Sequence, residues 1–330
     1  MKTVYYLIFV QFLALNFSFA QDYHLAQYDA NPLNLNPALT GERLTELKGI
    51  QVNGNYRNQI ANYSSAPGSF KSFSVGLDIP INSKFAIGQY FGNNKSGDGV
   101  YNSNNFMFST SYKINNSDNS DKQNFSVGCQ FGIINTSFVT RNFTYGSQYS
   151  PAVTDGFDKN IASGENLNNL NSFKFNMNLG IYYRTTMLDD RFVFYSGASV
   201  YNISSAETSV NTIVPIPLKF NINIGGIYKV DDKLSVQPSL LYMYQTKASE
   251  LNIGGLLHYK LNKDYVGIFG AGYRNKNALI LNVGLKVNGY TFRASYCAVN
   301  GTLINYRNKG IEFSILHTSP KKVKVSKTPL

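Results

Sequence analysis

Apolar and polar side chains alternate along much of this chain, and that period of two limits the fold more than any other feature. Between residues 173 and 184 the odd positions are Phe173, Phe175, Met177, Leu179, Ile181 and Tyr183, while the even ones are mostly polar or small. Successive strand residues point to opposite faces, so such a strand is apolar on one side and polar on the other. The pattern recurs over residues 73–79, 125–133 and 279–287. Beyond residue 20 no window approaches the run of about eighteen apolar residues that a helix needs to cross a bilayer. If this chain enters a membrane, it must do so as strands.

Alternation and turn residues together predict strands near 48–57, 70–79, 84–91, 105–114, 124–138, 172–185, 191–202, 218–230, 233–245, 250–261, 265–274, 278–287, 290–299 and 309–318. The total is about fourteen, most of them near the ten residues that cross hydrocarbon at a tilt. Connection lengths add a test independent of hydrophobicity. One alternate set (80–83, 115–122, 186–190, 231–232, 262–264, 288–289) is short, and Asn288-Gly289 is a two-residue hairpin signal. The other set holds 58–69, 92–104, 139–171, 203–217 and 300–308, with only 246–249 and 275–277 brief. Short periplasmic turns and long outer loops are the habit of outer-membrane barrels, and a soluble β-sandwich has no need of such sidedness. The expected fold is all-β: a transmembrane antiparallel β-barrel with an N-terminal plug-like segment. With 24 Tyr, 23 Phe and only 15% charged residues, the composition agrees. A net charge of +11 is scattered along the chain with no recognition motif, so nucleic acid is not an expected partner.

The ends of the chain read differently. Lys2, an apolar run from Val4 to Leu15, and small residues Ser18 and Ala20 predict a signal peptide over 1–20, cut after Ala20. Residues 21–47 precede the first strand and contain Asn31-Pro32 and Asn36-Pro37. Proline lacks an N–H and drives its predecessor toward extended backbone, so neither helix nor paired strand is expected there. Leu33, Leu35 and Leu39 make the segment too apolar to float free. It is expected to plug the lumen just inside the periplasmic entrance, leaving Gln27, Tyr28, Asn31, Pro32, Asn36 and Pro37 as candidate plug or binding residues. Arg57, placed near the outer rim, joins them. The barrel occupies 48–318 as one domain, and residues 319–330, with Lys321, Lys322, Lys324 and Lys327, form a basic periplasmic tail.

Side chains that do chemistry are sparse. Cys129 shares the lipid-facing phase with Val127 and Phe131, whereas Cys297 falls on the lumen phase, so no disulfide is expected between them. His24, His258 and His317 lack a nucleophile motif such as G-x-S-x-G, and no spaced His/Cys/carboxylate set suggests a metal. The expected protein is not an enzyme and carries no cofactor.

Gln27-Tyr28, followed by Asn31-Pro32-Leu33-Asn34-Leu35-Asn36-Pro37-Ala38-Leu39-Thr40-Gly41, resembles the mature N-terminus of the PorP/SprF family, outer-membrane proteins associated with type IX secretion and gliding motility. Tyr56-Arg57-Asn58-Gln59 with Ala66-Pro67, Ser295-Tyr296 and Gly310-Ile311-Glu312 resemble further family segments, so the likeness covers the mature chain. Ile60 and Cys297 differ from the pattern, which often has Trp and an acidic residue there. The resemblance implies an outer-membrane barrel with periplasmic termini that binds a secreted cell-surface adhesin through its C-terminal sorting domain. Implied partners are that adhesin and type IX translocon components, within the lipid and lipopolysaccharide of the outer membrane; the basic tail adds periplasmic peptidoglycan-associated proteins as expected partners. The connection 139–171, rich in Asn, Ser, Gly and Tyr, and the connection 203–217 are the expected contact loops. A plugged porin or transporter for a hydrophobic small solute is the competing expectation, because fatty-acid porins share this architecture and fold alone does not separate the two.

Overall fold

The computed structural model describes residues 25–42, 49–62, 67–97, 100–114, 122–139, 143–154, 156–164, 171–204, 216–275, 278–299 and 309–319. The expected leader 1–20 and the tail from residue 320 lie outside the described residues, as does most of the 203–217 connection. Fourteen strands are present among the described residues: β1 (Ile50–Asn62), β2 (Pro67–Pro80), β3 (Phe85–Ser96), β4 (Tyr101–Lys113), β5 (Gln123–Phe138), β6 (Asn171–Met187), β7 (Phe192–Tyr201), β8 (Lys219–Lys229), β9 (Leu234–Gln245), β10 (Ala248–Lys260), β11 (Tyr265–Arg274), β12 (Ala278–Val287), β13 (Tyr290–Val299) and β14 (Lys309–Ser319). Each pairs antiparallel with its sequence neighbours, and β1 pairs with β14, closing the barrel. Closure gives every strand a hydrogen-bonded neighbour on both sides and leaves no edge strand, which is what hydrocarbon demands.

Burial alternates as the period of two requires. Along β5, Asn124, Ser126, Gln130 and Thr136 are buried in the lumen, while Phe125, Phe131 and Ile133 lie exposed outside. Cys129 falls on the outer phase and Cys297 is buried inside. The outer face carries a continuous field of exposed apolar side chains, among them Phe175, Phe269, Leu281 and Phe313. A patch that large is untenable in water and correct in lipid. All three carboxylates on the strands, Asp78, Glu250 and Glu312, are buried inside.

Strand ends depart from expectation at one mouth of the barrel. We call the end holding Ile50 and Ser319 proximal and the other distal. At the proximal end the turns at 81–84, 188–191, 230–233, 261–264 and 288–289 are short, and Asn288-Gly289 takes positive φ at both residues (48° and 82°) in a two-residue hairpin. At the distal end, most of the predicted 58–69 and 92–104 loops is strand instead: β1 runs on to Asn62, β2 starts at Pro67, β3 reaches Ser96 and β4 starts at Tyr101. The ladder continues there after the apolar alternation has stopped. Arg57 accordingly lies within β1, five residues short of its distal end.

Candidate functional site

The lumen is occupied by residues 25–42. They form three single turns, at Tyr28–Ala30, Pro32–Leu35 and Pro37–Leu39, which corrects the expectation that prolines would keep helix out. Pro32 and Pro37 each stand at the first helical position, where the missing N–H has no intrahelical partner to lose and the fixed φ suits a helix start. The Asn36 side chain accepts from Ala38 N–H at 2.9 Å and so caps the third turn.

Polar bonds from nearly every side of the wall hold this segment. Ala26 and Gln27 donate their backbone N–H groups to the Glu312 carboxylate at 2.7 and 2.9 Å. The Gln27 amide donates to Ser295 Oγ and to the Glu312 carbonyl, both at 3.1 Å, and accepts from Ser314 Oγ. Arg293 pairs with Asp29 at 2.7 Å, and Tyr28 Oη donates to Ser239 Oγ at 2.8 Å. Burial raises the Tyr28 phenol well above the usual tyrosine range, so it stays a neutral donor. Asn31 donates to Ser74 Oγ at 2.8 Å, and Asn36 to the Ile181 and Ala198 carbonyls at 2.9 and 3.3 Å. Gln130, Ser199 and Tyr201 donate to the carbonyls of Leu33, Leu35 and Asn34. Gly41 N–H reaches Asp78 at 2.8 Å, and Lys113 pairs with Glu42 at 3.3 Å.

Apolar packing follows the same path. Leu35, Ala38 and Leu39 pack with Tyr182 and Leu241, Leu33 packs with Tyr90 and Met107, and Ala26 packs with Ile280 and Cys297. Wall glycines admit the plug backbone: a Cβ at Gly128 would collide with Pro37 and Ala38, and one at Gly180 with Asn36. A cavity of about 240 Å³ remains beside Tyr28, lined by Leu35, Leu39, Tyr182 and Tyr195.

The plug is deeper than expected. Gly41 and Asp78 sit near the proximal mouth, where Asp78 is in register with Gln51. Glu312, which holds Ala26 and Gln27, is in register with Arg57, seven residues beyond Ile50 and roughly 23 Å along the strand. All the sequence candidates are buried or half-buried in this lumen: Gln27, Tyr28, Asn31, Pro32, Asn36 and Pro37 on the plug, Arg57 on the wall. Arg57 donates to Gln59 Oε1 at 3.0 Å. Distal to the plug, Glu250 and Arg274 are both buried, 4.0 Å apart. Sequence reasoning missed Glu250, Arg274, Arg293 and Asp29, although for the first three their place on the polar phase of apolar strands was a usable signal.

His258 turns inward to Gln237 at 3.1 Å, and His317 stacks on Tyr290 with ring centroids 4.0 Å apart. Within the long connection, residues 143–164 are knit by their own bonds. A single turn at Gly146–Gln148, a bridge from Tyr149 to Phe157, and the Gln148 amide donating to Ile161 O at 2.9 Å fold it on itself, leaving Tyr149 63% exposed.

A closed barrel with a lipid-compatible outside and a bonded plug inside defines an outer-membrane protein. The chain belongs to the PorP/SprF family of type IX secretion system membrane proteins, whose model matches residues 17–315. Comparison with curated proteins gave no match. Among solved structures it is similar to a TodX deletion mutant, a monoaromatic hydrocarbon channel, with a TM-score of 0.51 at 10% identity, covering 87% of this chain and 94% of that one. A Pseudomonas aeruginosa FadL homologue (TM-score 0.50, 12% identity, 86% and 92% covered) and the CymD monoaromatic hydrocarbon channel (0.50, 15%, 88% and 92%) are similar too. At such identity the likeness is one of fold.

Proposed function

We propose that this barrel is a non-enzymatic docking protein of the type IX secretion apparatus. It binds a secreted cell-surface adhesin, through the adhesin's C-terminal sorting domain, at the distal mouth. The observation that carries this reading is the plug: residues 25–42 bond to strands around the circumference, so the wall and plug act as one body and work falls to the surfaces outside the lumen. In this reading the proximal end faces the periplasm, where translocon components and peptidoglycan-associated proteins are reached. The distal end, with the long 139–170 connection, faces outward. The self-bonded loop around Tyr149 supports it, since a pre-ordered loop with an exposed aromatic loses little entropy on binding.

Affinity purification from solubilised membranes, with identification of the copurifying proteins, tests the proposal. A large secreted adhesin is the expected result. Uptake of a hydrophobic solute into liposomes by the purified barrel, with no protein partner recovered, would overturn it in favour of transport.

A further inference from the structure

The outer faces of β1 to β6 hold a feature that neither the plug nor the long loop explains. Reading across the registers, Asn58 stands beside Lys71, Lys71 beside Lys95, Lys95 beside Asn102, Asn102 beside Ser137, and Ser137 beside Asn171. All six share the outward phase and form one polar row over six neighbouring strands. The next row in the proximal direction is mixed: Tyr56, Phe73, Asn93, Asn104, Asn135 and Phe173. The one after it, Gly54, Val75, Phe91, Phe106, Ile133 and Phe175, has no polar side chain at all. The edge of the hydrocarbon is therefore drawn within two rungs.

Lys71 and Lys95 sit directly opposite each other at that edge, both exposed. Like charges in this position repel, and among the described residues no carboxylate pairs with either. All the strand carboxylates point inward. Lys309, also outward and exposed, lies beside β1 at the same end, in register with Ile60. Outward-facing strand lysines are thus confined to the distal end among the described residues; the proximal end is ringed instead by aromatics such as Tyr112, Phe125, Tyr228, Tyr259 and Tyr290. Amides flank the lysine pair in a hydrogen-bonded ladder: Asn93 donates to Asn102 and Asn104 (2.7 Å each), Asn104 to Asn135 (3.3 Å), and Asn135 to Asn171 (2.5 Å).

We infer that this row is a binding site for the phosphorylated sugar headgroup of an outer-leaflet glycolipid. Lys71 and Lys95 converge on one phosphate, whose charge relieves their repulsion, and the amides of Asn58 and Asn102 meet neighbouring sugar hydroxyls. Phe73, Phe91 and Phe106 below supply the apolar wall for the acyl chains. The site rests on the proposed orientation only for which leaflet supplies the lipid, since its chemistry is set by the row itself.

The test uses the full-length barrel in detergent, where orientation plays no part, with added hexa-acylated bisphosphorylated lipid A and native mass spectrometry as the readout. Wild type should retain the lipid, and K71Q/K95Q should weaken retention about tenfold or more, from loss of two charge-assisted contacts. K233Q/K263Q, which removes two exposed lysines from proximal turns, should leave retention unchanged. Dephosphorylated lipid A should bind no better to wild type than to K71Q/K95Q, and inorganic phosphate should not compete. Equal retention by K71Q/K95Q, or equal binding of the dephosphorylated lipid, would overturn the site. Labelling of a cysteine placed at Asn171 on whole cells reports the orientation separately, so failure of one is distinguishable from failure of the other.

Discussion

Gly128 carries no side chain at a place where the plug backbone passes against the wall, and a single methyl there meets the backbone of Pro37 and Ala38. Backbone cannot swing aside as a side-chain tip can, so Gly128→Ala should cost the plugged state about 1–3 kcal/mol. Glu312→Ala acts from the other end: it strips the acceptors from Ala26 and Gln27 and leaves buried Arg57 facing a neutral partner, a loss of about 3 kcal/mol or more. Cys297, buried against Ala26, supplies the readout for both. A thiol reagent should leave Cys297 unmodified in wild type and modify it in either variant. Unchanged protection would show that these contacts do not hold the plug. At this scale the sequence was partly legible. Gln27, Arg57, Ser295 and Glu312 stood out through family resemblance while scattered over the chain, and the fold gathers them at one junction between plug and wall. The bond between Asp29 and Arg293 was not legible, because nothing in either neighbourhood encodes a partner 264 residues away.

Among the elements, the strands could be located wherever one face met lipid, because lipid imposes the alternation. Their distal ends could not. Asn58, Lys71, Asn93 and Asn102 face outward beyond the hydrocarbon, where a polar residue is as stable as an apolar one, so the pattern ends while the hydrogen-bond ladder continues. The single turns at Pro32 and Pro37 were hidden by the opposite error, since a proline that breaks a helix interior is favourable at its start. The 139–170 connection gives the prediction for this scale. Replacing residues 144–164 by a short Gly/Ser linker should leave the barrel's strand content unchanged by circular dichroism, because its described bonds are largely internal. Adhesin retention at the cell surface should fall at least tenfold if the loop is the docking surface, and retention at the wild-type level would remove it from the proposal.

At the scale of the molecule, wall and filling are separable in one direction only. The wall closes through its own ladders, β1 to β14 included, so a chain lacking residues 25–42 should still form the barrel. Its lumen would then be lined by Gln51, Asn53, Asp78, Gln130, Arg274 and Arg293 and filled with water. In planar bilayers the wild-type protein should be electrically silent and the deletion should conduct ions steadily; a conducting wild type would contradict a sealed lumen.

The grip of Glu312 on Ala26 and Gln27 joins groups 286 and 285 residues apart, the first described stretch of the chain to its last strand. Contacts of such separation form late, after the intervening loops have closed. The head of the plug can therefore settle only when β14 is in place. A barrel stalled short of its last strand keeps Gln27 and Tyr28 unmoored, and the docked head is the chain's own record that its assembly has finished.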